Sequence, residues 1–372
     1  MKIAILTSSR ADYGIYLPLL KALDKAEDVE WGLVVFGTHL SRLHGHTVDA
    51  IDKDGFPIVK KIEVLLSGDT PLAIAKAYAQ TVEKFAEYWN EQGADFYLVV
   101  ALGDRFEMAA AVAAGIPFGI KFAHLHGGET TLGAIDNIYR HSISLASALH
   151  FVSATPFEQR LQQMLGDAEA PIYNVGSLSL ENLNQMDLLD LPTFKEKWGI
   201  NLEIPTVLVT VHPETVAFKK NEDYCRETIQ ALQTLASTYQ IVITMPNADT
   251  AGMIYRTGFN QLAQQLPSVH TIENFGTQSY FTCMKYARLL IGNTSSGIVE
   301  AASFQKYVLN LGDRQKGRLC GDNVIHVPFN AELILQNAHQ YNQMTYLGPN
   351  LYHQTQSSAR ILTHIRSFFG KL

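Results

Sequence analysis

Cysteine is scarce: three residues in 372, Cys225, Cys283 and Cys320, far apart and with no C-x-x-C pair. An odd, scattered set builds neither a disulfide framework nor a zinc site, and it fits a reducing compartment. No stretch reaches about 18 apolar residues, so no membrane-spanning helix is expected. The opening residues, MKIAILTSSRADYG, hold a short apolar run that soon meets Arg10 and Asp12, too short for the core of a signal peptide. Basic excess is missing too. Against 29 Lys and Arg stand 36 Asp and Glu, a formal charge of -7, which gives no general attraction to nucleic acid or to anionic lipid. The G-x-G-x-x-G fingerprint is absent, which weakens a dinucleotide reading. No low-complexity tract or short-period repeat occurs. These absences read as a cytoplasmic, soluble protein.

What is present is ordinary globular composition, 47% hydrophobic and 17% charged. At about 150 residues per domain the length suggests two domains. Lys2–Leu6, Trp31–Phe36, Phe96–Leu102 and Leu149–Val152 read as buried strands, and Ala73–Glu91 repeats its apolar residues at helical spacing. Alternation of this kind implies βαβ units and a parallel sheet, and continuous apolar runs imply a sheet covered on both faces. The pattern pauses over the polar residues 181–205. It resumes with Thr206–Val211, Gln240–Met245, Arg288–Gly292, Tyr307–Leu311 and Asn323–Val327. The expected fold is therefore α/β, with two Rossmann-like doubly wound domains, 1–180 and 181–372. The tail from about Ser358 reads as an amphipathic helix that packs back on the first domain.

Doubly wound sheets bind ligands outside the carboxyl ends of their strands, so the loops there carry the information. The first strand ends in Thr7-Ser8-Ser9-Arg10-Ala11-Asp12, where Arg10 offers a fork suited to a phosphate or carboxylate and the next helix offers free N–H groups. The third predicted strand ends in Gly103-Asp104-Arg105, and a carboxylate just past a buried strand needs partners or a capping role. The densest cluster is His124-Leu125-His126-Gly127-Gly128-Glu129, followed by Asp136 and Arg140-His141. Imidazole and carboxylates gathered in one pocket suit proton transfer. A zinc set of His124, His126 and Glu129 is the competing reading. His-x-His on a strand points both rings the same way, but nothing specifies a third ligand. In the second half, His212-Pro213-Glu214, Met245-Pro246-Asn247 and Gly292-Asn293-Thr294-Ser295-Ser296-Gly297 follow strands. Hydroxyls and N–H groups at a helix start cradle a diphosphate, and Glu300, a turn later, suits ribose hydroxyls. Gly312-Asp313-Arg314-Gln315-Lys316-Gly317-Arg318 carries three cations. Edges of this kind facing each other across an interdomain cleft would hold a nucleotide diphosphate.

Taken in order, T-S-S-R-A-D-Y, L-G-D-R-F-E, H-L-H-G-G-E-T-T-L-G-A-I-D, R-H-S-I-S, H-P-E-T, P-N-A-D, G-N-T-S-S-G-I-V-E-A and L-G-D-R-Q-K-G-R resemble the hydrolysing UDP-N-acetylglucosamine 2-epimerases. The resemblance runs from about residue 1 to 330. It implies the GT-B-like fold, no metal and no cofactor, a nucleotide-sugar substrate, and a homo-oligomer, dimer or tetramer. In the chemistry it implies, a base takes the proton from sugar carbon 2 as UDP leaves carbon 1. Water then adds to the 2-acetamidoglycal and yields a free sugar inverted at carbon 2. Catalytic roles map to Asp104, His126, Glu129 and Asp136, and UDP-sugar contacts to Arg10, Arg105, His212, Asn247, Ser295, Ser296, Glu300 and Arg314.

One position divides the family. The sialic acid branch reads H-I-E-G-G-E, with an acid where this chain has His126. H-x-H-G-G-E, the T-T-L-G-A-I-D spacing, L-L-S-G-D-T at Leu65–Thr70 and G-D-R-Q-K-G-R resemble the legionaminic acid branch instead. A nucleotide-linked N,N'-diacetylbacillosamine is thus expected ahead of UDP-N-acetylglucosamine. The competing readings are a non-hydrolysing 2-epimerase, a glycosyltransferase of the same architecture and a non-catalytic nucleotide-sugar sensor.

Overall fold

In the computed structural model, which describes residues 1–42, 45–64, 68, 70–246 and 251–370, the chain divides into two compact units. Unit 1 consists of 1–129, 136–184 and 352–372; unit 2 consists of 130–135 and 185–351. Among the described residues no helix is long and apolar enough to cross a membrane.

Unit 1 runs β1 (Lys2–Thr7), α1 (Arg10–Asp24), β2 (Glu30–Phe36), α2 (Val48–Asp54), β3 (Ile58–Ile62), α3 (Pro71–Gln92), β4 (Leu98–Leu102), α4 (Phe106–Gly115), β5 (Phe122–Leu125), α5 (Asp136–Leu145), β6 (Ser147–Val152), α6 (Thr155–Leu165), β7 (Ile172–Asn174) and α7 (Leu178–Gln185). Its seven strands are parallel, in the order β3-β2-β1-β4-β5-β6-β7. Side chains alternate across a strand, so β1 serves two cores at once. Ile3 and Ile5 join Tyr16, Leu19 and Leu20 of α1 on one face, while Ala4 and Leu6 join Phe85 and Trp89 of α3 and Met108 of α4 on the other. Both sets are essentially free of solvent, which is why the sequence runs apolar without a polar alternate.

Unit 2 runs α8 (Leu191–Trp198), β8 (Thr206–Thr210), α9 (Asn221–Leu235), β9 (Gln240–Thr244), α10 (Gly252–Gln265), β10 (Val269–Ile272), α11 (Gly276–Tyr286), β11 (Leu289–Gly292), α12 (Ser295–Val299), β12 (Val308–Leu311), β13 (Val324–Val327) and α13 (Ala331–Tyr341). Its six parallel strands follow the order β10-β9-β8-β11-β12-β13. The polar stretch 181–205 is no plain linker. It contains α8, whose Phe194 is fully buried beside Phe275. The chain then returns to unit 1 for α14 (Ser357–Phe369), which lays Ile361, Leu362 and Ile365 into the α1 face of the sheet.

Both sheets reverse direction once, unit 1 between β1 and β4 and unit 2 between β8 and β11. At such a reversal the two flanking loops part and leave a crevice. In unit 1 those loops begin at Ser8 and Gly103; in unit 2 they begin at Val211 and Asn293. The abutment in unit 2 requires glycine. Gly292 has φ +155°, and a Cβ there would lie 1.9 Å from the Thr210 carbonyl oxygen.

Candidate active site

The β5 loop turns sharply. His126 adopts a left-handed backbone with φ +64°, and Gly128 follows at φ +74°, where a Cβ would lie 2.5 Å from the Phe157 carbonyl. A non-glycine residue in that region is strained and needs outside support. Two contacts supply it. His126 Nδ1 lies 2.7 Å from Glu129 Oε1, and Arg140 Nη1 donates to the His126 carbonyl at 2.7 Å.

Glu129 is fully buried. Its Oε1 also accepts from Ser153 Oγ at 2.6 Å, and its Oε2 lies 3.7 Å from Arg140 Nη1. Ser153 donates to it and a guanidinium stands beside it, so it serves as an acceptor of this cluster. In the tautomer that donates from Nδ1 to Glu129, a neutral His126 carries its lone pair on Nε2, the form suited to taking a proton. Arg140 is itself buried, and its Nη2 donates to Asp104 Oδ2. One guanidinium thus joins the β4 loop to the β5 loop. Asp136 opens α5, four residues before Arg140, and positions four apart lie on one helix face.

His124 has a different task. It lies within β5, where Nε2 donates to the Gly103 carbonyl at 2.8 Å and Nδ1 accepts from Ser144 Oγ at 2.9 Å. Burial drives its pKa down to about 3, against the opposing Gly103 bond and with help from the Arg140 charge. Its ring and that of His126 contact different groups, because β5 ends at Leu125 and the strand alternation stops before His126. The alternation behind the expectation that both rings point one way therefore does not extend to His126. Among the described residues no group of three or more His, Cys, Asp and Glu is placed to hold a metal ion. Asp104, weighed as a cap, does not hold the N-cap position of α4: Arg105 does, with extended backbone and no side-chain capping bond. The Arg105 guanidinium is forked onto the buried Glu107, at 3.2 and 3.0 Å.

The β1 loop is organised by a residue that received no role from the sequence. Asp12, buried, accepts from Thr7 Oγ1, from Ser8 N and Oγ, and from Ser9 N, at 2.7 to 3.1 Å. Burial works to raise its pKa, but His39 and these donors outweigh it and hold the carboxyl below its ordinary value. Arg10 stands one residue past Ser9, as the first residue of α1, partly buried.

Unit 2 builds its loops from a chain of reciprocal bonds. Asn293 accepts from His212 N at 2.7 Å and donates to the His212 carbonyl at 2.8 Å. Gln315 Nε2 donates to the Asn293 carbonyl at 2.8 Å, and Asp313 N donates to Glu214 Oε1 at 2.5 Å. The loops after β8, β11 and β12 therefore hold one another. Burial raises the Glu214 pKa, opposed by the Asp313 N–H and the Arg314 charge. Thr294 caps α12 through the Ser296 N–H, with Ser295 exposed, Ser296 partly buried and Glu300 buried at the helix end. Asn247, and most of the Leu65–Thr70 run, lie outside the described residues.

Two buried imidazoles set an acid limit on stability. Burial lowers the pKa of His124 to about 3 and of His150 to about 4. Both stay neutral when folded yet protonate near 6.5 when unfolded, so the unfolded chain binds more protons and stability falls as pH drops below that value. Between pH 6.5 and 5.5 the pair removes about 2 kcal/mol. Guanidinium unfolding at the two pH values should show this as a lower midpoint at 5.5; coincident midpoints would contradict it.

A sequence model of the family described as UDP-N-acetylglucosamine 2-epimerase matches residues 21–366. The UDP-N,N'-diacetylbacillosamine 2-epimerase (hydrolyzing) of Legionella pneumophila is 34% identical over 360 residues, 96% of this chain and 94% of its own. The GDP/UDP-N,N'-diacetylbacillosamine 2-epimerase (hydrolyzing) of Campylobacter jejuni is 34% identical over 330 residues, 88% of this chain and 85% of its own. The crystal structure of UDP-GlcNAc 2-epimerase from Neisseria meningitidis bound to UDP-GlcNAc superposes with a TM-score of 0.83 over 99% of this chain and 100% of that one, at 15% identity. That likeness shows the GT-B-like fold.

Proposed function

From the premise that this chain belongs to the UDP-N-acetylglucosamine 2-epimerase family, we propose that it is a hydrolysing 2-epimerase of a UDP-linked 2-acetamido sugar. UDP-N,N'-diacetylbacillosamine is the substrate this reading favours over UDP-N-acetylglucosamine, for the making of legionaminic acid rather than sialic acid. The observation that carries the reading is the buried network Ser153–Glu129–His126, joined through Arg140 to Asp104.

The reaction removes an unactivated proton, so it needs a positioned acceptor and a stabilised leaving group together. His126, oriented by Glu129, presents the Nε2 lone pair and takes the proton from carbon 2. The C2–H electron pair becomes the C1=C2 bond of the 2-acetamidoglycal, and the C1–O bond breaks toward UDP. Asp104 and Asp136 serve the second half, in which water gives its hydroxyl to carbon 1 and a proton returns to carbon 2 with inversion. Arg10, Arg105, His212, Asn247, Ser295, Ser296, Glu300 and Arg314 are the groups we assign to the UDP-sugar, with Arg10, His212 and Arg314 offsetting the departing charge. The same reading takes the enzyme as a cytoplasmic homo-oligomer, dimer or tetramer, that uses neither metal nor cofactor.

Proton NMR in deuterated water tests this with UDP-linked diacetylbacillosamine and UDP-N-acetylglucosamine in parallel. We expect free UDP and a manno-configured sugar carrying deuterium at carbon 2, faster from the first. Epimeric UDP-sugars without free sugar would overturn the hydrolysing assignment. A result with neither UDP release nor epimeric UDP-sugars, from either substrate, would overturn the epimerase reading.

A further inference from the structure

The chain leaves unit 1 immediately after Glu129, spends Thr130–Ile135 within unit 2, and re-enters unit 1 at Asp136. This six-residue strap is held along its length. Leu132 N donates to the Lys316 carbonyl at 2.9 Å, and Ile135 N donates to Thr215 Oγ1 at 3.0 Å. Between them Gly133 lies directly on the peptide joining Asp313 to Arg314. A Cβ on Gly133 would fall 1.9 Å from the Asp313 carbonyl oxygen and 2.7 Å from Arg314 N. Backbone atoms cannot step aside as a flexible side chain does. From the other side Gly317, at φ +79°, opens its face to the strap: a Cβ there would come within 3.1 Å of both Thr130 and Leu132 side chains. The Asp313 end of this loop is in turn fixed by Glu214.

We propose that Gly133 is a positioning residue: its missing side chain seats the strap on the Asp313–Arg314 peptide, and the seated strap fixes the course of the loop that carries Arg314. This deepens the epimerase reading and rests on it. The loop that the strap meets carries Arg314, the residue assigned to offset the charge of the departing diphosphate. The strap is bonded to the rest of unit 2 through Leu132 N and Ile135 N, and it closes a turn on itself, with Ala134 N donating to the Thr131 carbonyl at 3.0 Å. Displacing a catalytic group by about 1 Å costs on the order of 100-fold in rate, and a Cβ in the Gly133 gap demands a shift of that size.

Two variants test the proposal in the full-length enzyme, with UDP release as the assay. Gly133→Ala should lower kcat about 100-fold while KM stays within about threefold. Thr215→Val removes the acceptor for Ile135 N with little change of shape. It should lower kcat about tenfold, and Thr215→Ser should restore it, with melting temperatures within about 2 °C of wild type. Wild-type kcat in both Gly133→Ala and Thr215→Val overturns the proposal and leaves the epimerase reading standing. A loss that tracks a falling melting temperature, or that Thr215→Ser fails to restore, reduces the strap to a stabilising element and also overturns it. A wild-type enzyme that releases no UDP overturns the reading, and the proposal with it.

Discussion

Glu129→Gln is expected to lower kcat for UDP release about a thousandfold, within the 10²–10⁴ range typical of a lost proton-transfer group. In the wild type one carboxylate faces three donors: His126 Nδ1 and Ser153 Oγ on Oε1, and Arg140 beside Oε2. An amide has one acceptor oxygen and one donor nitrogen. If its oxygen faces His126 and Ser153, its NH2 meets Arg140 donor to donor. If it turns, its NH2 meets His126 and pushes the imidazole hydrogen onto Nε2, where the lone pair is needed. Either way the proton acceptor is misplaced or occupied. The fold should survive, because Arg140 keeps Asp104 and the His126 carbonyl. Steady-state kinetics should show the loss in kcat with KM within severalfold of wild type. A kcat within tenfold of wild type would remove the His126–Glu129 pair from the proton path.

Arg140→Met should damage the fold as well as turnover. The guanidinium is almost fully buried and serves Asp104, Glu129 and the His126 carbonyl together. Removing one partner of a buried ion pair costs about 3–5 kcal/mol, because the other charge is left uncompensated. At about 2–4 °C per kcal/mol for a unit of this size, the melting temperature should fall by roughly 6–20 °C. The strained backbone of His126 also loses a supporting donor, so turnover should vanish in the protein that remains folded. Calorimetry beside the UDP assay checks both. An unchanged melting temperature would show that water replaces the guanidinium without cost.

The strands legible in the sequence were those buried on both faces, such as β1, β4 and β8, where apolar residues run unbroken. The weaker strands were not. Edge strand β3 carries the exposed Lys60 and Lys61, β10 lies at the other sheet's edge with only Val269 buried, and β5 has four residues and spends one on His124. The loops that carry chemistry were legible, because a doubly wound sheet sends its strand ends to one side. Their pairings were not. Arg140 reaches an aspartate 36 positions away and Asn293 a histidine 81 positions away. Such contacts depend on tertiary placement and leave no periodic signal. Asp12 was hidden for a related reason: a carboxylate that gathers four nearby donors looks, in the sequence, like any polar loop residue.

The order of assembly follows from α14. Unit 1 begins with β1, yet its α1 face is completed by Ile361, Leu362 and Ile365, which are synthesised only after all of unit 2. Domains made on the ribosome generally fold in order of emergence. Here the half that starts first must wait, with a flank of its sheet uncovered, until the other half has been made. Unit 2 can close on itself during that interval except for the strap, which was made earlier and stays tethered to the waiting sheet. Nascent chains stalled before residue 352 would therefore expose the apolar α1 face and call on chaperones, and the two halves would not be interchangeable as separately expressed fragments.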